Sequence, residues 1–277
     1  MVSSISGEQA RTVQARRAVN VNFYMRKMVL VRKICAKIHL NWEIGKEIVK
    51  KLYFCTKICM QMKENVLKAA LFDLDGVVFD TEPQYSVFWG SQCRLYHPEH
   101  PGLENEIKGM TLTEIYDHWF SGPLLSEQAA ITERLNAYER QMHYDYIEGF
   151  EELIADLHRH GVRTAVVTSS NMPKMESVYK YQKNFKALFD AILTSEDFER
   201  SKPDPDCYIK AAQRLEAQFN ECVVFEDSFN GLRSGRAAQM KVVGVATTNP
   251  IERIAPLSDM QITDYRKMDY ETLKRLL

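Results

Sequence analysis

The sequence predicts an α/β fold with a doubly wound parallel sheet. From residue 66 onward, short apolar runs bounded by turn residues alternate with segments whose apolar residues repeat at helical spacing. Strands that are apolar throughout are typical of parallel sheets, and the helices between them serve as crossover connections. The predicted strands span 67–72, 163–168, 191–194, 222–225 and 241–246, and the predicted helices span 150–160, 173–182, 204–217 and 229–238.

A segment without strand-like runs separates the first predicted strand from the second. Residues 83–147 have the pattern of several amphipathic helices, and their many aromatic residues at helical spacing are expected to form a core of their own. An insertion directly after the first strand lies above the carboxyl end of the sheet, where open α/β folds bind ligands. We therefore predict a small all-helical cap domain at 83–147, acting as a lid over a core of residues 63–82 and 148–277.

Residues 1–62 differ in composition from the rest, with twelve Lys and Arg residues against three Glu residues. We expect a basic extension that is disordered or loosely helical and has no catalytic role. The net charge of the whole chain is -1, which favours neither nucleic acid nor an anionic membrane as a partner. The sequence contains no run of about 20 apolar residues, so a transmembrane helix is not expected. A cytoplasmic location is the default expectation. Because the sequence has no coiled-coil heptads, a monomer is also expected by default.

Two acidic residues follow the first predicted strand. Asp73 and Asp75 lie on the same side of an extended chain, and Gly76 allows a sharp turn directly after them. Carboxylates this close repel each other unless a cation lies between them or one keeps its proton. The pair therefore indicates metal binding or acid/base chemistry, with a solvated turn or a helix cap as the alternative.

A second acidic pair, Glu226 and Asp227, ends the predicted strand 222–225. In a parallel sheet this pair emerges at the same edge as Asp73. Four converging carboxylates make an oxygen-rich site, and magnesium prefers such hard ligands while keeping water and substrate phosphate in its shell. Neither cluster contains His or Cys, which disfavours zinc. The expected cofactor is Mg²⁺.

Polar residues also follow two other predicted strands. Thr168 closes the second strand, and Lys202 lies in a turn that proline residues restrict. Thr168 is followed by three more polar residues at the start of a helix: Ser169, Ser170 and Asn171. Hydroxyls and free N–H groups at a helix N-terminus bind phosphate oxygens. The Lys202 ammonium is suited to neutralise a phosphate or a carboxylate. Taken alone, Thr168 fits a strand-end hydroxyl better and Lys202 a solvated loop cation better, and only the order of all four elements favours the functional interpretation.

These residues resemble the haloacid dehalogenase superfamily, and within it the branch of β-phosphoglucomutases and small sugar-phosphate phosphatases. The resemblance covers about residues 66–250 and implies a Rossmann-like core. Its four motifs are matched by Asp73-Leu74-Asp75-Gly76, by Thr168, by Lys202 and by Glu226-Asp227.

The resemblance implies that Asp73 attacks phosphorus to form an aspartyl-phosphate, while Asp75 protonates the leaving oxygen and then activates the incoming water or hydroxyl. It also implies that Asp73, the Asp75 backbone carbonyl, Glu226 and Asp227 hold Mg²⁺. Thr168 and Lys202 would neutralise the phosphoryl oxygens together with the metal. The expected contacts to phosphate and substrate are Ser169, Ser170, Asn171, Gly76 and Lys108.

Two departures from the mutase pattern bear on what accepts the phosphoryl group. Tyr85 stands where β-phosphoglucomutases have a hinge His, and Leu112 stands where they have an Arg after the Lys108-Gly109 pair. A mutase needs lid cations to hold the second phosphate of its intermediate. We therefore expect a phosphatase acting on a small phosphorylated metabolite such as a sugar phosphate. The alternatives are a β-phosphoglucomutase and a non-catalytic binding protein.

Overall fold

The computed structural model describes residues 66–277. The predicted extension at residues 1–62 lies outside the described residues. Within residues 66–277, no helix is both long enough and apolar enough to cross a membrane.

A six-stranded sheet forms the centre of the described part of the chain, with strand order β3-β2-β1-β4-β5-β6. All neighbouring strands run parallel, so the predicted doubly wound α/β class is confirmed. The strands are β1 (Ala69–Phe72), β2 (Arg163–Val167), β3 (Ala191–Leu193), β4 (Cys222–Glu226), β5 (Lys241–Val245) and β6 (Met260–Ile262).

Helices connect the strands and fill the segment between β1 and β2. They are α1 (Glu82–Tyr96), α2 (Leu103–Glu106), α3 (Leu112–Trp119), α4 (Gln128–Glu139), α5 (Phe150–Arg159), α6 (Met172–Tyr181), α7 (Asp206–Arg214), α8 (Phe229–Ala237), α9 (Ile251–Ile254) and α10 (Tyr270–Leu276). Short 3-10 turns lie at Gly122–Glu127, Phe185–Leu188, Phe219–Glu221 and Ala255–Leu257. The four predicted helices of the core region correspond to α5, α6, α7 and α8.

Both faces of the central strands are buried, which explains why these strands are mainly apolar. Along β1, Ala70 and Phe72 belong to one hydrophobic cluster, while Ala69 and Leu71 belong to a second cluster on the opposite face. On the first face the rings of Phe72 and Phe225 stack with their centroids 4.5 Å apart. Alternation along a strand thus divides one apolar run between two cores.

The segment from α1 to α4 has a hydrophobic cluster of its own. Phe88, Trp89 and Phe120 are buried in it, and Tyr116 and Trp119 pack against it. These aromatic residues therefore serve chiefly as packing, as their helical spacing indicated. The prediction that residues 83–147 form a separate cap domain, with those boundaries, remains a prediction.

The sixth strand has no counterpart in the sequence prediction. β6 comprises only Met260, Gln261 and Ile262, all of them partly exposed, and it lies at one edge of the sheet beside β5. The run is not apolar throughout, and its alternation of apolar and polar residues is too short to predict a strand. Its strand conformation depends on pairing with β5.

Candidate active site

The strand register brings the ends of β1, β2 and β4 to one place. Phe72 is paired with Val166 of β2 and with Phe225 of β4. Asp73 therefore leaves β1 between the ends of the two neighbouring strands, beside Thr168 and Asp227. The chain order reverses at β1, so this point is the topological switch of the sheet, where ligands bind in open α/β folds.

Lys202 joins two of the acids at this edge. Its Nζ lies 2.5 Å from Oδ1 of Asp73, 2.7 Å from Oε1 of Glu226 and 2.9 Å from the carbonyl oxygen of Val167. The hydroxyl of Tyr208 also donates to Oε1 of Glu226, at 2.6 Å. The Lys202 side chain is 5% exposed. The loop cation suggested by the sequence is therefore a buried, fully bonded group.

Burial sets the electrostatics of the site. It raises the pKa of Asp73 to about 7, a rise that Lys202 opposes and Glu226 reinforces. Burial and the charges of Glu226 and Asp73 also hold the pKa of Asp227 well above its usual range. Burial alone would lower the pKa of Lys202, but its carboxylate partners outweigh that effect and raise it. Lys202 thus stays charged while the acids around it compete for one ammonium.

Three of these acids form a set that fits a divalent cation. Asp73, Glu226 and Asp227 each present a carboxylate oxygen, and these atoms lie within 4.8 Å of one another. All are hard oxygen donors, as Mg²⁺ requires. Partly buried carboxylates at this spacing repel each other, and a cation between them would relieve that repulsion. Glu226 is the most constrained of the three, because Lys202, Tyr208 and Ser228 already donate to it.

Gly76 leaves room for the Asp227 carboxylate. Its φ is +70°, and a Cβ built on it would lie 2.1 Å from Oδ2 of Asp227. Its N–H donates to the Phe79 carbonyl oxygen, and its own carbonyl oxygen accepts from Thr247. Gly76 therefore has a clear conformational role, and its predicted contact with phosphate remains a prediction.

Asp75 is held by three donors from different elements. Thr81 Oγ1 donates to Oδ1 at 2.8 Å, Ser170 Oγ donates to Oδ2 at 3.3 Å, and Nζ of Lys174 forms an ion pair with Oδ2. The structure thus brings Asp75 together with Ser170 as the sequence suggested. It also adds Lys174, which sequence reasoning missed.

The polar run after β2 borders the site. Thr168 is buried, and its Oγ1 accepts from the Ser170 N–H at 3.0 Å. Asn171 is the N-cap of α6, and its side chain accepts from the Lys174 N–H. The Met172 N–H donates to Glu196. Two N–H groups at the start of α6 are therefore already bonded, and the prediction that this terminus is free for an anion does not hold for them.

A cavity of about 370 Å³ lies next to this cluster, between the strand ends and α1, α3 and α4. The predicted residues that line it are Asp73, Asp75, Lys108, Thr168, Ser169, Ser170, Asn171, Lys202 and Asp227. Its other wall is mixed, with apolar side chains such as Trp89, Leu112 and Leu135 beside the acids Glu104 and Glu139. The cavity therefore joins a charged end at the sheet to a wall of mixed polarity at the helices.

A polar contact joins the helices over the cavity to the sheet side. Asn230 of α8 donates through Nδ2 to both carboxylate oxygens of Glu114, at 2.8 and 3.0 Å. Glu114 also forms a capping box with Thr111 at the start of α3. Although burial opposes it, these hydrogen bonds hold the pKa of Glu114 below its usual value.

Several residues around the site carried too weak a sequence signal to be predicted. The Glu82 carboxyl lines the cavity, and burial beside Asp75 raises its pKa to about 7. Thr248 donates to Asp227, and Glu139 accepts from Tyr85. Lys174 alone had a usable signal, because a cation in the first turn of a helix is disfavoured by the helix dipole.

The family model of haloacid dehalogenase-like hydrolases matches residues 70–245. This segment carries every motif residue described above and covers more than half of the chain, so the protein belongs to the haloacid dehalogenase-like hydrolases. Within this family it falls in the β-phosphoglucomutase-like branch and is an enzyme of the phosphatase type.

Individual relatives agree with this assignment. The chain is similar to the bifunctional riboflavin kinase/FMN phosphatase of Arabidopsis thaliana, with 36% identity over 67% of this chain and 51% of that protein. It is also similar to hexitol phosphatase A of Escherichia coli, with 31% identity over 64% of this chain and 82% of that protein. A β-phosphoglucomutase structure from Clostridium difficile shares the fold, with a TM-score of 0.63, 20% identity, and coverage of 76% of this chain and 97% of that one.

Proposed function

We propose that this protein is a Mg²⁺-dependent phosphatase that hydrolyses a small phosphorylated metabolite, such as a sugar phosphate, through an aspartyl-phosphate on Asp73. The observation that carries the proposal is the position of Asp73. It lies at the switch point of the sheet, bonded to Lys202, beside Asp227 and facing the cavity. A carboxylate nucleophile splits the displacement into two easier steps.

The residues around Asp73 are suited to bind the phosphoryl group. Thr168 and Ser169 border the same end of the cavity, and Lys202 supplies a positive charge that stays on the ammonium. Preorganised donors of this kind stabilise charge that develops on phosphoryl oxygens in the transition state. We assign Asp73 the attack on phosphorus, and we assign Thr168, Lys202 and the Ser169–Asn171 segment the binding of phosphate oxygens.

Asp75 is the proposed acid and base. It donates a proton to the oxygen of the leaving alcohol, and it then takes a proton from the water that hydrolyses the aspartyl-phosphate. Its carboxylate lines the cavity and is oriented by Thr81 and Ser170. One carboxyl group thus serves both half-reactions because its protonation state alternates.

The proposed ligands of Mg²⁺ are Asp73, the Asp75 backbone carbonyl, Glu226 and Asp227. When bound, the ion would neutralise the carboxylates and withdraw charge from the phosphoryl oxygens. The close approach of three carboxylates supports this assignment. Lys202 and Tyr208, which both donate to Oε1 of Glu226, would orient its carboxylate.

The charges that line the cavity favour water over a second sugar hydroxyl as the acceptor. Of the described residues lining the cavity, three are cationic, and two of them are paired with Asp73 and Asp75: Lys202 and Lys174. Only Lys108 is left to face a second phosphate. Arg134 of α4 bonds to Gln92 and Tyr96 instead. A mutase intermediate carries two phosphates and needs more positive charge on this wall.

The same wall narrows the substrate class. Trp89 and Leu112 give it apolar surface, and Asn136 adds an uncharged polar group. The acids Glu104 and Glu139 also line it and repel an anionic group. Such a wall suits an uncharged leaving alcohol with hydroxyl groups better than a carboxylate or a second phosphate. The names of the relatives that act on hexitol phosphates or on FMN agree with a phosphate monoester of this kind.

A phosphate-release screen tests the proposal. Sugar monophosphates, hexitol phosphates, FMN, sugar bisphosphates and p-nitrophenyl phosphate are each incubated with protein in Mg²⁺ or in EDTA. We expect Mg²⁺-dependent release from at least one monophosphate and slower release from the bisphosphates. The conversion of β-glucose 1-phosphate to glucose 6-phosphate is measured in parallel. Isomerisation without phosphate release would replace the phosphatase proposal by the mutase one.

A further inference from the structure

Lys174 occupies a position that is unfavourable for a lysine on two counts. It is the third residue of α6, where the positive end of the helix dipole repels a cation. Its side chain is only 5% exposed, so its ammonium has lost most of its hydration. A charge in such a place must be compensated by its neighbours, and those neighbours indicate what the lysine does.

The neighbours are an acid of the proposed mechanism and two residues of the helical segment. Nζ forms an ion pair with Oδ2 of Asp75. It also lies 4.7 Å from the ring centroid of Tyr85, whose hydroxyl donates to Oε1 of Glu139 at 2.8 Å. Tyr85 belongs to α1 and Glu139 to α4. Lys174 therefore lies where the sheet side and the helices meet.

Lys174 is the charged member of the group that orients Asp75. The other donors to the carboxylate are the hydroxyls of Thr81 and Ser170, and the Ser170 contact is long at 3.3 Å. Without Lys174, Oδ2 of Asp75 would keep only this long contact among the described hydrogen bonds. Lys174 is the one charged donor among these three, so its bond is charge-assisted, and roughly twice as strong as a neutral one, whether or not Asp75 carries a proton. Lys174 thus contributes most to fixing the orientation of this oxygen.

We propose that Lys174 is a positioning residue that orients the Asp75 carboxyl toward the leaving oxygen. This inference rests on the proposed function. The Tyr85 ring, which is itself bonded to Glu139, lies against the ammonium from the other side, so the orientation of Asp75 depends on the helices being in place. Tyr85 is therefore a packing partner of the ammonium in this chain.

The step that depends on Lys174 is the first half-reaction. An oxygen of Asp73 forms a bond to phosphorus, the bond from phosphorus to the leaving oxygen breaks, and the proton of Asp75 passes to that oxygen. The alcohol departs, and Asp75 is left as a carboxylate beside the Lys174 ammonium. In the second half-reaction a water oxygen bonds to phosphorus, its proton returns to Asp75, and Asp73 is released with inorganic phosphate.

This assignment predicts a dependence on the leaving group. An alkyl oxygen leaves poorly without a proton, whereas p-nitrophenolate leaves without one. The experiment measures kcat/KM of Lys174→Met for p-nitrophenyl phosphate and for the alkyl phosphate that the wild type hydrolyses fastest. Because general acid catalysis contributes roughly 100-fold or more, we expect a fall of about 10-fold or more for the alkyl phosphate and less than about 3-fold for the aryl one.

The ratio of kcat/KM for the alkyl phosphate to kcat/KM for p-nitrophenyl phosphate distinguishes a loss of positioning from a loss of folded protein. It is measured within one preparation, so a smaller folded fraction lowers both constants alike. Lys180→Met is the matched control, because Lys180 is exposed near the end of the same helix, and we expect its ratio to equal that of the wild type. Lys174→Arg keeps the charge and serves as a second variant. We expect it to retain most of the wild-type ratio of kcat/KM for the two substrates.

Two negative outcomes are distinguishable. Equal falls for both substrates in Lys174→Met, or an unchanged constant for the alkyl phosphate, would overturn the positioning role while leaving the phosphatase proposal in place. A wild-type protein that releases phosphate from neither substrate in Mg²⁺ would overturn the proposed function and this inference with it.

Discussion

The Nζ atom of Lys202 lies 2.5 Å from Oδ1 of Asp73, and both side chains are largely removed from solvent. The same ammonium is shared with Glu226, so two carboxylates depend on one cation. In the absence of a bound metal, the acids at the end of the sheet therefore exceed their compensating charge. Substitutions in this cluster should affect activity and stability in different, predictable directions.

Replacing Asp73 by Asn should abolish activity without weakening the fold. The amide oxygen of Asn can still accept from Lys202, but an amide is no nucleophile, so we expect kcat to fall by about 1,000-fold or more. Burial raises the pKa of Asp73 to about 7, which means that its charged form is costly in the folded state. The melting temperature at pH 8 in EDTA should therefore equal or exceed that of the wild type. Retained turnover would contradict the nucleophile assignment.

Replacing Lys202 by Met should weaken the fold itself. The substitution leaves the buried carboxylates of Asp73 and Glu226 without their cation, and breaking a buried ion pair in this way costs about 3–5 kcal/mol. The free energy of unfolding is measured by urea titration. Lys180→Met removes an exposed lysine and should change that free energy by less than about 0.5 kcal/mol. Equal stability of the two variants would refute the structural importance of Lys202.

The sequence was sufficient to predict five of the six strands because the central strands are buried on both faces. Each central strand is a short apolar run, and the acids at the ends of β1 and β4 stand out against it. The parallel arrangement then places Asp73 and Asp227 together without further information. β6 escaped prediction because its three residues have no such pattern. Its strand conformation comes from pairing with β5.

The parts of the site that sequence did not reveal depend on contacts between distant segments. Lys174 reaches Asp75 across 99 residues of chain, and Asn230 reaches Glu114 across 116. Neither pair leaves a local pattern that identifies the partner, although the place of Lys174 in the first turn of α6 is unusual for a lysine. By contrast, Asp73 and Asp75 were recognisable since both lie within one strand end.

Gly76 and Gly161 offer a matched pair for testing the space around Asp227. Both glycines have a left-handed backbone, with φ of +70° and +72°. A Cβ at position 76 would lie 2.1 Å from Oδ2 of Asp227, whereas a Cβ at position 161 meets nothing within 4 Å. Each Gly→Ala change should therefore cost about 1–2 kcal/mol through the backbone. Only Gly76→Ala should also displace Asp227.

The distinguishing measurement is the Mg²⁺ concentration that gives half-maximal activity. Displacing a metal ligand or its support typically weakens metal affinity by about 10- to 100-fold, so we expect such an increase in Gly76→Ala. Gly161→Ala should show the wild-type concentration. An unchanged Mg²⁺ requirement in both variants would argue against Asp227 as a ligand.

Mg²⁺ should stabilise the protein more at high pH than at low pH. Burial raises the pKa of Asp73 from its ordinary value of 3.8 to about 7, so without metal the folded state keeps a proton that the unfolded state has lost. The stability contributed by that proton is present below the ordinary pKa and is lost as the pH rises through about 7. Mg²⁺ binds the ionised carboxylates, so protons compete with it below this pH.

The increase in melting temperature caused by Mg²⁺ is the measurement that checks this prediction. We expect a larger increase at pH 8 than at pH 6, because at pH 6 the ion must displace the proton on Asp73. Each displaced proton lowers the apparent affinity for Mg²⁺ by up to about 10-fold per pH unit. In Asp73→Asn this proton is absent, so the dependence on pH should become weaker. An increase that is the same at both pH values in the wild type would contradict a shared site for the proton and the metal.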